Sequence, residues 1–384
     1  MGYDFTTSDV RYLSGAADDL AEVDRLELTA RTHLADIGRV RTRFGDRAGA
    51  LVETVLLRRR AVGKLDDRPW LLTDDALQQA TPTVVARHRA ARLAGRDVHD
   101  VTCSVGAELS ALVGVAGAVL GSDLDPVRLA MATRNVPGAT VIRADALVPC
   151  SRGTVVLADP ARRAGGKRRH DPAALVPPLP DLLDVYAGRD IAVKCAPGLD
   201  YDELGWDGEV EIVSLSGGVR EACLWSPGLA GDGVRRRATV LAADGSGWDL
   251  TDAEPDDIPE REPGEWIVDP DGAVVRAGLV RHYASRHGLW QLDPRIAYLT
   301  GDRVPPGVRG FRILVQLKYS EKALRQELAR LDCGVAEILV RGLDVDPAVL
   351  RPRLKLRGIR SLSVVLTRIG RTPTAFVCAA GTRE

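Results

Sequence analysis

Four short stretches of this chain end in residues able to hold a polar ligand. Asp100-Val-Thr-Cys-Ser-Val-Gly106 reads as a strand entering a tight turn before a helix. Such a turn brings backbone N–H groups close to a ligand, and it needs small residues. About 20 residues on, a second strand ends Gly121-Ser122-Asp123-Leu124-Asp125-Pro126. An acid placed there in a nucleotide-binding fold accepts hydrogen bonds from the ribose hydroxyls. A third strand ends Arg143-Ala144-Asp145-Ala146, and a fourth ends Ala158-Asp159-Pro160-Ala161-Arg162-Arg163. In a parallel sheet all four ends share the carboxyl edge, where open α/β sheets bind ligands. A hydride-transferring dehydrogenase shares the first two features, needs neither Asp145 nor Asp159-Pro160, and carries a G-x-G-x-x-G that is absent here.

The elements that would position these residues follow from short apolar runs alternating with helical patterns. Strands are expected over 98–103, 118–122, 140–142, 154–158 and 190–194, with helices over 107–115, 126–135 and 172–186. This alternation implies right-handed crossovers and a parallel sheet. Runs at 209–215 and 222–225, joined by Gly217-Gly218, predict an antiparallel hairpin closing it. Upstream, residues 1–79 read as helices: Leu51, Thr54, Val55 and Leu57 recur at helical spacing. Arg58-Arg59-Arg60 follows as either a solvated face or a phosphate contact. Thr81-Pro82 predicts a helix with Thr as N-cap and Pro at the first position, running through Leu93 to end near Gly95. Residues 244–265, rich in Asp, Glu, Pro and Gly, read as a loop-rich connector. Beyond them, strands over 266–268, 311–316, 336–340 and 362–367 with helices over 320–331 and 347–355 form a second, α+β domain. The expected division is a helical region 1–79, a sheet domain 80–228, a connector 229–265 and an α+β domain 266–384.

Composition bounds the function. The 384 residues are 45% hydrophobic and 27% charged, within the globular range. Aromatics at 4% leave a core of Ala, Val and Leu and argue against a surface made chiefly of stacking rings. The net charge of −1 supplies no global field toward nucleic acid, so any such contact must be a local patch. Only six of the 52 basic residues are Lys, a bias that reflects either GC-rich coding or a use for planar guanidinium donors. Six scattered Cys without a C-x-x-C suggest neither a zinc ribbon nor a disulfide framework, and point to a reducing compartment. His99, His170 and the pair His282/His287 lack companions at metal spacing and read as surface or capping residues, so no metal is expected. The longest apolar run, 111–121, is well short of the ~20 residues that span a bilayer. The acidic N-terminus lacks the basic region of a signal peptide. A soluble cytoplasmic protein with no membrane partner is the expectation.

At this point the chain resembles the class I S-adenosylmethionine-dependent methyltransferases, and more narrowly the bacterial family that joins such a domain to a C-terminal THUMP-like domain. The resemblance is carried by Leu56-Leu57-Arg58-Arg59-Arg60-Ala61 and Lys64, Asp100–Gly106, and Asp123-Leu-Asp-Pro126 with Asn135 behind them. Asp159-Pro-Ala-Arg-Arg163, Val193-Lys194 and Pro197-Gly198 extend it. So do Ala277-Gly278-Leu279, Ala297-Tyr298-Leu299 and Arg353-Leu-Lys-Leu-Arg-Gly358 near the C-terminus. It implies an α/β fold: a Rossmann-like methyltransferase sheet with an N-terminal helical region and a C-terminal α+β, THUMP-like domain.

The resemblance further implies S-adenosylmethionine as cofactor, held by Asp100, Thr102, Cys103, Ser104, Gly106, Asp123, Leu124, Asp145 and Ala146. Asp123 would take the ribose hydroxyls and Asp145 the adenine amine. Asp159 and Pro160 would line the acceptor pocket as catalytic residues, where related enzymes carry Asp/Asn-Pro-Pro-aromatic and receive the target amine. Arg162, Arg163, Lys167, Arg168 and Lys194 would contact substrate. Two positions depart from the pattern: Ser104 replaces the first Gly of the turn, and Ala161-Arg162 replaces Pro-aromatic. A guanidinium can stack on a base in place of a ring or pair with phosphate, and Arg162 could equally form a salt bridge with Asp159. Pro149-Cys150 resembles the Pro-Cys of pyrimidine C5-methyltransferases but lies before the fourth strand rather than after it. The expected activity is methyl transfer to an exocyclic amine, guanine N2 or adenine N6, of structured tRNA or rRNA. The basic clusters 167–169 and 351–357 support RNA as partner, each being otherwise a solvated surface. Two alternatives stay open: a small-molecule or protein methyltransferase, and a non-catalytic RNA-binding protein on a decayed methyltransferase fold.

Overall fold

The computed structural model describes every residue except Met1, Arg162, Gly165, Gly166, Arg169, His170, Asp200, Asp202, Glu260 and Glu384; at 163, 164, 167, 168, 382 and 383 it describes the backbone alone. The chain divides into two compact units, Met1–Leu215 with Glu221–Gly231 and Leu241–Gly247, and Ser216–Arg220 with Asp232–Val240 and Trp248–Glu384.

The first unit opens with helices α1 (Thr7–Leu13), α2 (Ala17–Asp24), α3 (His33–Phe44), α4 (Ala48–Ala61), α5 (Asp74–Gln79) and α6 (Thr83–Arg92). Local signals start several of them. Thr6 and Asp9 form a reciprocal capping box on α1, and the Thr73 hydroxyl accepts from Ala76 N–H at the head of α5. The triple Arg is structural. Arg58 donates to the carbonyls of Pro69 and Trp70, Arg59 to Asp24 and the carbonyls of Leu26 and Glu27, and Arg60 to Asp74. These bonds tie α4 to the loops around it.

The sheet of this unit has strands β1 (Val98–Asp100), β2 (Val119–Asp123), β3 (Thr140–Arg143), β4 (Val155–Ala158), β5 (Ile191–Cys195), β6 (Glu209–Leu215) and β7 (Gly218–Trp225). Their spatial order is β6-β7-β5-β4-β1-β2-β3. The pairs β1/β2, β1/β4, β2/β3 and β4/β5 are parallel, and β7 runs antiparallel to β5. The strands buried on both faces, β4 and β5, read Val-Val-Leu-Ala and Ile-Ala-Val-Lys-Cys, as central parallel strands should. Helices α7 (Ala107–Leu112) and α8 (Pro126–Asn135) make the first crossovers. Asp125 caps α8, its Oδ1 accepting from Val127 and Arg128 N–H, and Pro126 supplies the preset first residue.

Four expectations need correction. The helix expected over 172–186 is broken: a single 3-10 turn at Pro172–Ala174 precedes α9 (Leu179–Val185), and Val176 between them pairs with Ala161. Pro177-Pro178 cannot donate to a helical ladder, which forces the break. The hairpin turn is Ser216-Gly217, both at positive φ as a two-residue type I′ turn requires, and Gly218 already belongs to β7. Pro82, not Thr81, is the N-cap of α6, because the Thr81 hydroxyl is engaged elsewhere. His99 is neither surface nor cap: it is buried between the hydroxyls of Ser122 and Ser151, and burial pushes its pKa down to about 4.

Strands β8 (Arg236–Leu241) and β9 (Gly247–Thr251) both fall inside the connector expected over 229–265. The sheet of the second unit contains β10 (Trp266–Val268), β11 (Trp290–Gln291), β12 (Leu299–Gly301), β13 (Arg309–Lys318), β14 (Cys333–Val340), β15 (Arg360–Ile369) and β16 (Thr372–Ala379), in the order β11-β12-β10-β13-β16-β15-β14. Leu362, Val364 and Leu366 of β15 face a cluster with Leu324 and Leu328 of α10 (Glu321–Arg330) and Leu350 of α11 (Pro347–Arg353). Val365 between them joins Phe376, Phe311 and Tyr298 in a separate cluster. This period-two division buries both faces of the sheet.

Candidate active site

Strand β1 has β2 on one side and β4 on the other, so the chain leaves it in both directions and opens a crevice at the carboxyl edge. A cavity of about 380 Å³ lies there. Of the residues singled out from the sequence, Asp100, Thr102, Cys103, Ser104, Asp123, Leu124, Asp145, Ala146 and Asp159 line it. Gly106 lies behind the turn and Pro160 beside Asp159, neither of them in the lining. Arg162 lies outside the described residues, as do the side chains of Arg163, Lys167 and Arg168. The backbone of 163–164 pairs antiparallel with that of 167–168.

The turn keeps its shape despite Ser in place of Gly. Ser104 takes a left-handed φ of 49°, and its N–H donates to Asp123 Oδ2 at 3.1 Å. A non-glycine residue held there carries strain, which this charge-assisted bond offsets. Gly106, at φ 86°, must be small as well: a Cβ there would come within 3.0 Å of Val136. The Asp123 Oδ1 accepts from Asp125 N–H at 2.9 Å. Each carboxylate oxygen therefore has one backbone donor and retains acceptor capacity for a diol.

Across the crevice, Asp100 and Asp159 are joined through Thr102. The Thr102 N–H donates to Asp100 Oδ1 at 3.0 Å, and its hydroxyl accepts from Asp159 N–H at 2.7 Å. Asp100 is buried, and this burial, reinforced by Glu108, Asp159 and Asp123, raises its pKa to about 8. Burial also opposes ionisation of Glu108, yet the charges of Arg89 and Lys194 hold its pKa below the ordinary carboxylate value. Burial pushes the Cys103 thiol well up, leaving it a small packing residue rather than a nucleophile. A cavity lined by Asp100, Glu108, Asp123, Asp145 and Asp159, with Arg128 the cation in its wall, suits a ligand carrying positive charge and a diol. S-adenosylmethionine, with its ammonium, sulfonium and ribose, has that chemistry.

Sequence reasoning missed one wall of this cavity. Ala76, Gln79, Ala80 and Thr81 from the N-terminal helical region line it, and so do Val176, Pro177 and Pro178. The available signal was Thr81-Pro82, read as a cap. Lys194, expected to touch substrate, is buried on β5 behind Asp159, with its ammonium 2.5 Å from Asp159 Oδ2.

The fold is Rossmann-like, and its acidic cavity at the carboxyl edge of the sheet suits a nucleoside-bearing cofactor with positive charge. Two Mycobacterium tuberculosis proteins, from strains CDC 1551 and H37Rv and both described as S-adenosylmethionine-dependent methyltransferases, are each 60% identical over 357 residues, 88% of this chain and 99% of the relative. The chain belongs to this family of S-adenosylmethionine-dependent methyltransferases. A family model described as "THUMP domain-like" matches residues 308–380. A crystal structure from Porphyromonas gingivalis, described as that of a methyltransferase, superposes with a TM-score of 0.76 at 18% identity over 98% of this chain and 99% of that one, a likeness of fold. Among the described residues, no helix is long and apolar enough to cross a membrane, and no group of three or more His, Cys, Asp or Glu could hold a metal ion.

Proposed function

We propose that this enzyme methylates an exocyclic amine of a base in structured RNA. The observation that carries this reading is Asp159. It stands at the carboxyl end of β4 on the cavity wall, its N–H is fixed by Thr102, and its Oδ2 is fixed by Lys194. Among the described residues Oδ1 has no partner, which leaves it to accept from an amine N–H entering the cavity. The cofactor supplies an electrophilic methyl group on a sulfonium. Asp123 would bind its ribose, Leu124 and Ala146 would flank its adenine with Asp145 at the exocyclic amine, and Asp100 with the 102–106 turn would hold the methionine portion. Positioning and charge placement then provide most of the acceleration. In place of an aromatic ring, exposed Val176 and half-buried Pro177 line the acceptor side, and Val176 is paired through the backbone to Ala161.

RNA as partner is supported by the THUMP domain-like match and by the exposed Arg351, Lys355 and Arg357 within it. The test uses S-adenosylmethionine labelled with tritium in its methyl group and an extract of cells lacking this protein, fractionated afterwards into RNA, protein and small molecules. Label in N2-methylguanosine or N6-methyladenosine from digested RNA is the expected result. Label in protein or small molecules, with none in RNA, would contradict it.

A further inference from the structure

Strand β5 reads Ile-Ala-Val-Lys-Cys and is buried throughout, so Lys194 is a charge in an apolar strand at 5% exposure. Burying an ammonium is costly unless its donors are satisfied. Here they are. Nζ donates to Asp159 Oδ2 at 2.5 Å, to Thr81 Oγ1 at 2.8 Å and to the Gln79 carbonyl at 3.4 Å. Arg89, Lys194 and Thr81 all favour the Glu108 carboxylate, which takes Arg89 Nη1 at 2.6 Å. Arg89 also pairs with Glu221 of β7. Charged groups thus run from the interior to Asp159, a carboxylate on the cavity wall whose second oxygen has no partner among the described residues. Lys194 itself is absent from the cavity wall, whereas its partners Asp159, Thr81 and Gln79, and Glu108 beyond them, line it.

We propose that Lys194 is a positioning residue for methyl transfer: anchored on Thr81 and the Gln79 carbonyl, it clamps Asp159 by Oδ2 and presents Oδ1 to the acceptor nitrogen. This rests on the reading of Asp159 as the group that meets the acceptor. In the step it serves, the N–C bond forms as the C–S bond breaks and that electron pair stays on sulfur. The proton lost by nitrogen passes to Asp159 Oδ1 and on to solvent. Held by one oxygen, the carboxylate is aligned before the acceptor arrives and does not swing back onto the Thr102 hydroxyl.

The test compares wild type with Lys194→Met, which keeps the volume, in the labelled extract, diluted serially to separate the maximal rate from the half-saturating extract concentration. The maximal rate should fall at least 100-fold with half-saturation and S-adenosylhomocysteine affinity within twofold. A raised half-saturation with an unchanged maximal rate would overturn the proposal, because Lys194 would then be touching substrate. In Lys194→Ala, ethylammonium should restore at least tenfold of the lost rate in a saturable way, with equimolar sodium chloride giving none. Thr81→Val keeps the charge and loosens its anchor, and should lower the rate about tenfold; full activity would contradict the anchoring. Crystals of Lys194→Ala with S-adenosylhomocysteine provide a reading that needs no acceptor. The Asp159 carboxylate should leave its wild-type rotamer, and an unmoved Asp159 would overturn the proposal. The fraction that takes label tests the RNA reading separately, since the variants are compared on whichever fraction that is.

Discussion

Asp100 is the residue at which electrostatics and ligand binding meet. Burial, with Glu108, Asp159 and Asp123 nearby, raises its pKa to about 8, far above the value of about 4 expected for the unfolded chain. Between these two values the folded state holds a proton that the unfolded state has lost. Folding stability contributed by this group therefore falls as pH rises through that window and levels off above about 8. Asp100→Asn removes the slope, so its thermal midpoint should gain on wild type between pH 5 and pH 8.5. A cofactor bearing an ammonium and a sulfonium favours the carboxylate and should expel the proton near pH 7. Calorimetric titration with S-adenosylmethionine in phosphate and in Tris should then give different apparent enthalpies; identical values would sink this account of Asp100. Much of this scale was legible beforehand, because acids at strand ends advertise themselves. Asp100, Asp123, Asp145 and Asp159 do line one cavity. The partnership of Lys194 with Thr81 was not legible, since it joins residues more than a hundred positions apart that look like a strand residue and a helix cap.

At the scale of elements, the decisive contacts hold the N-terminal helices to the 102–106 turn. Asn135, the single Asn of the chain, ends α8 and is buried. Its Oδ1 accepts from Leu71 N–H, and its Nδ2 donates to the carbonyls of Leu71 and Val105, each at 2.9 Å. Leu71 leads into α5, which lines the cavity, and Val105 belongs to the turn itself. Asn135→Leu strands three buried backbone groups, at about 1–3 kcal/mol each. The thermal midpoint should drop by on the order of 10 °C, and a change within a degree would show that the tie carries no weight. The strands and α8 could be read from apolar runs and from Asp125-Pro126, because both signals are local. Pro177-Pro178 forces the break at 175–178 in the helix expected over 172–186. The role of α5 as a cavity wall could not be read, because amphipathic periodicity tells which face is buried and not what it is buried against.

For the whole molecule, a net charge of −1 means that any RNA affinity must come from local groups, and its salt dependence counts them. Lys355 and Arg357 are exposed in the segment matched as THUMP domain-like. Replacing both with Ser should weaken binding to extracted tRNA and lower the slope of log affinity against log salt by roughly one to two. S-adenosylhomocysteine affinity should not change, and an unaltered slope would place the contact elsewhere. The α+β character of this region was visible in its strand and helix patterns. Its β16 strand (Thr372–Ala379) was not, because Thr-Pro-Thr at its start reads as a turn.

Methyl transfer by this chain requires the cavity at the carboxyl edge of β1, β2 and β4 to hold the cofactor. The most direct test is calorimetric titration of wild type and Asp123→Ala with S-adenosylhomocysteine, with NAD as the control ligand. We predict micromolar binding to wild type, at least about 30-fold weaker binding to the folded variant from the loss of two charge-assisted bonds, and none for NAD. Equal affinity of the two proteins for S-adenosylhomocysteine, or no binding to well-folded wild type, would contradict the assignment.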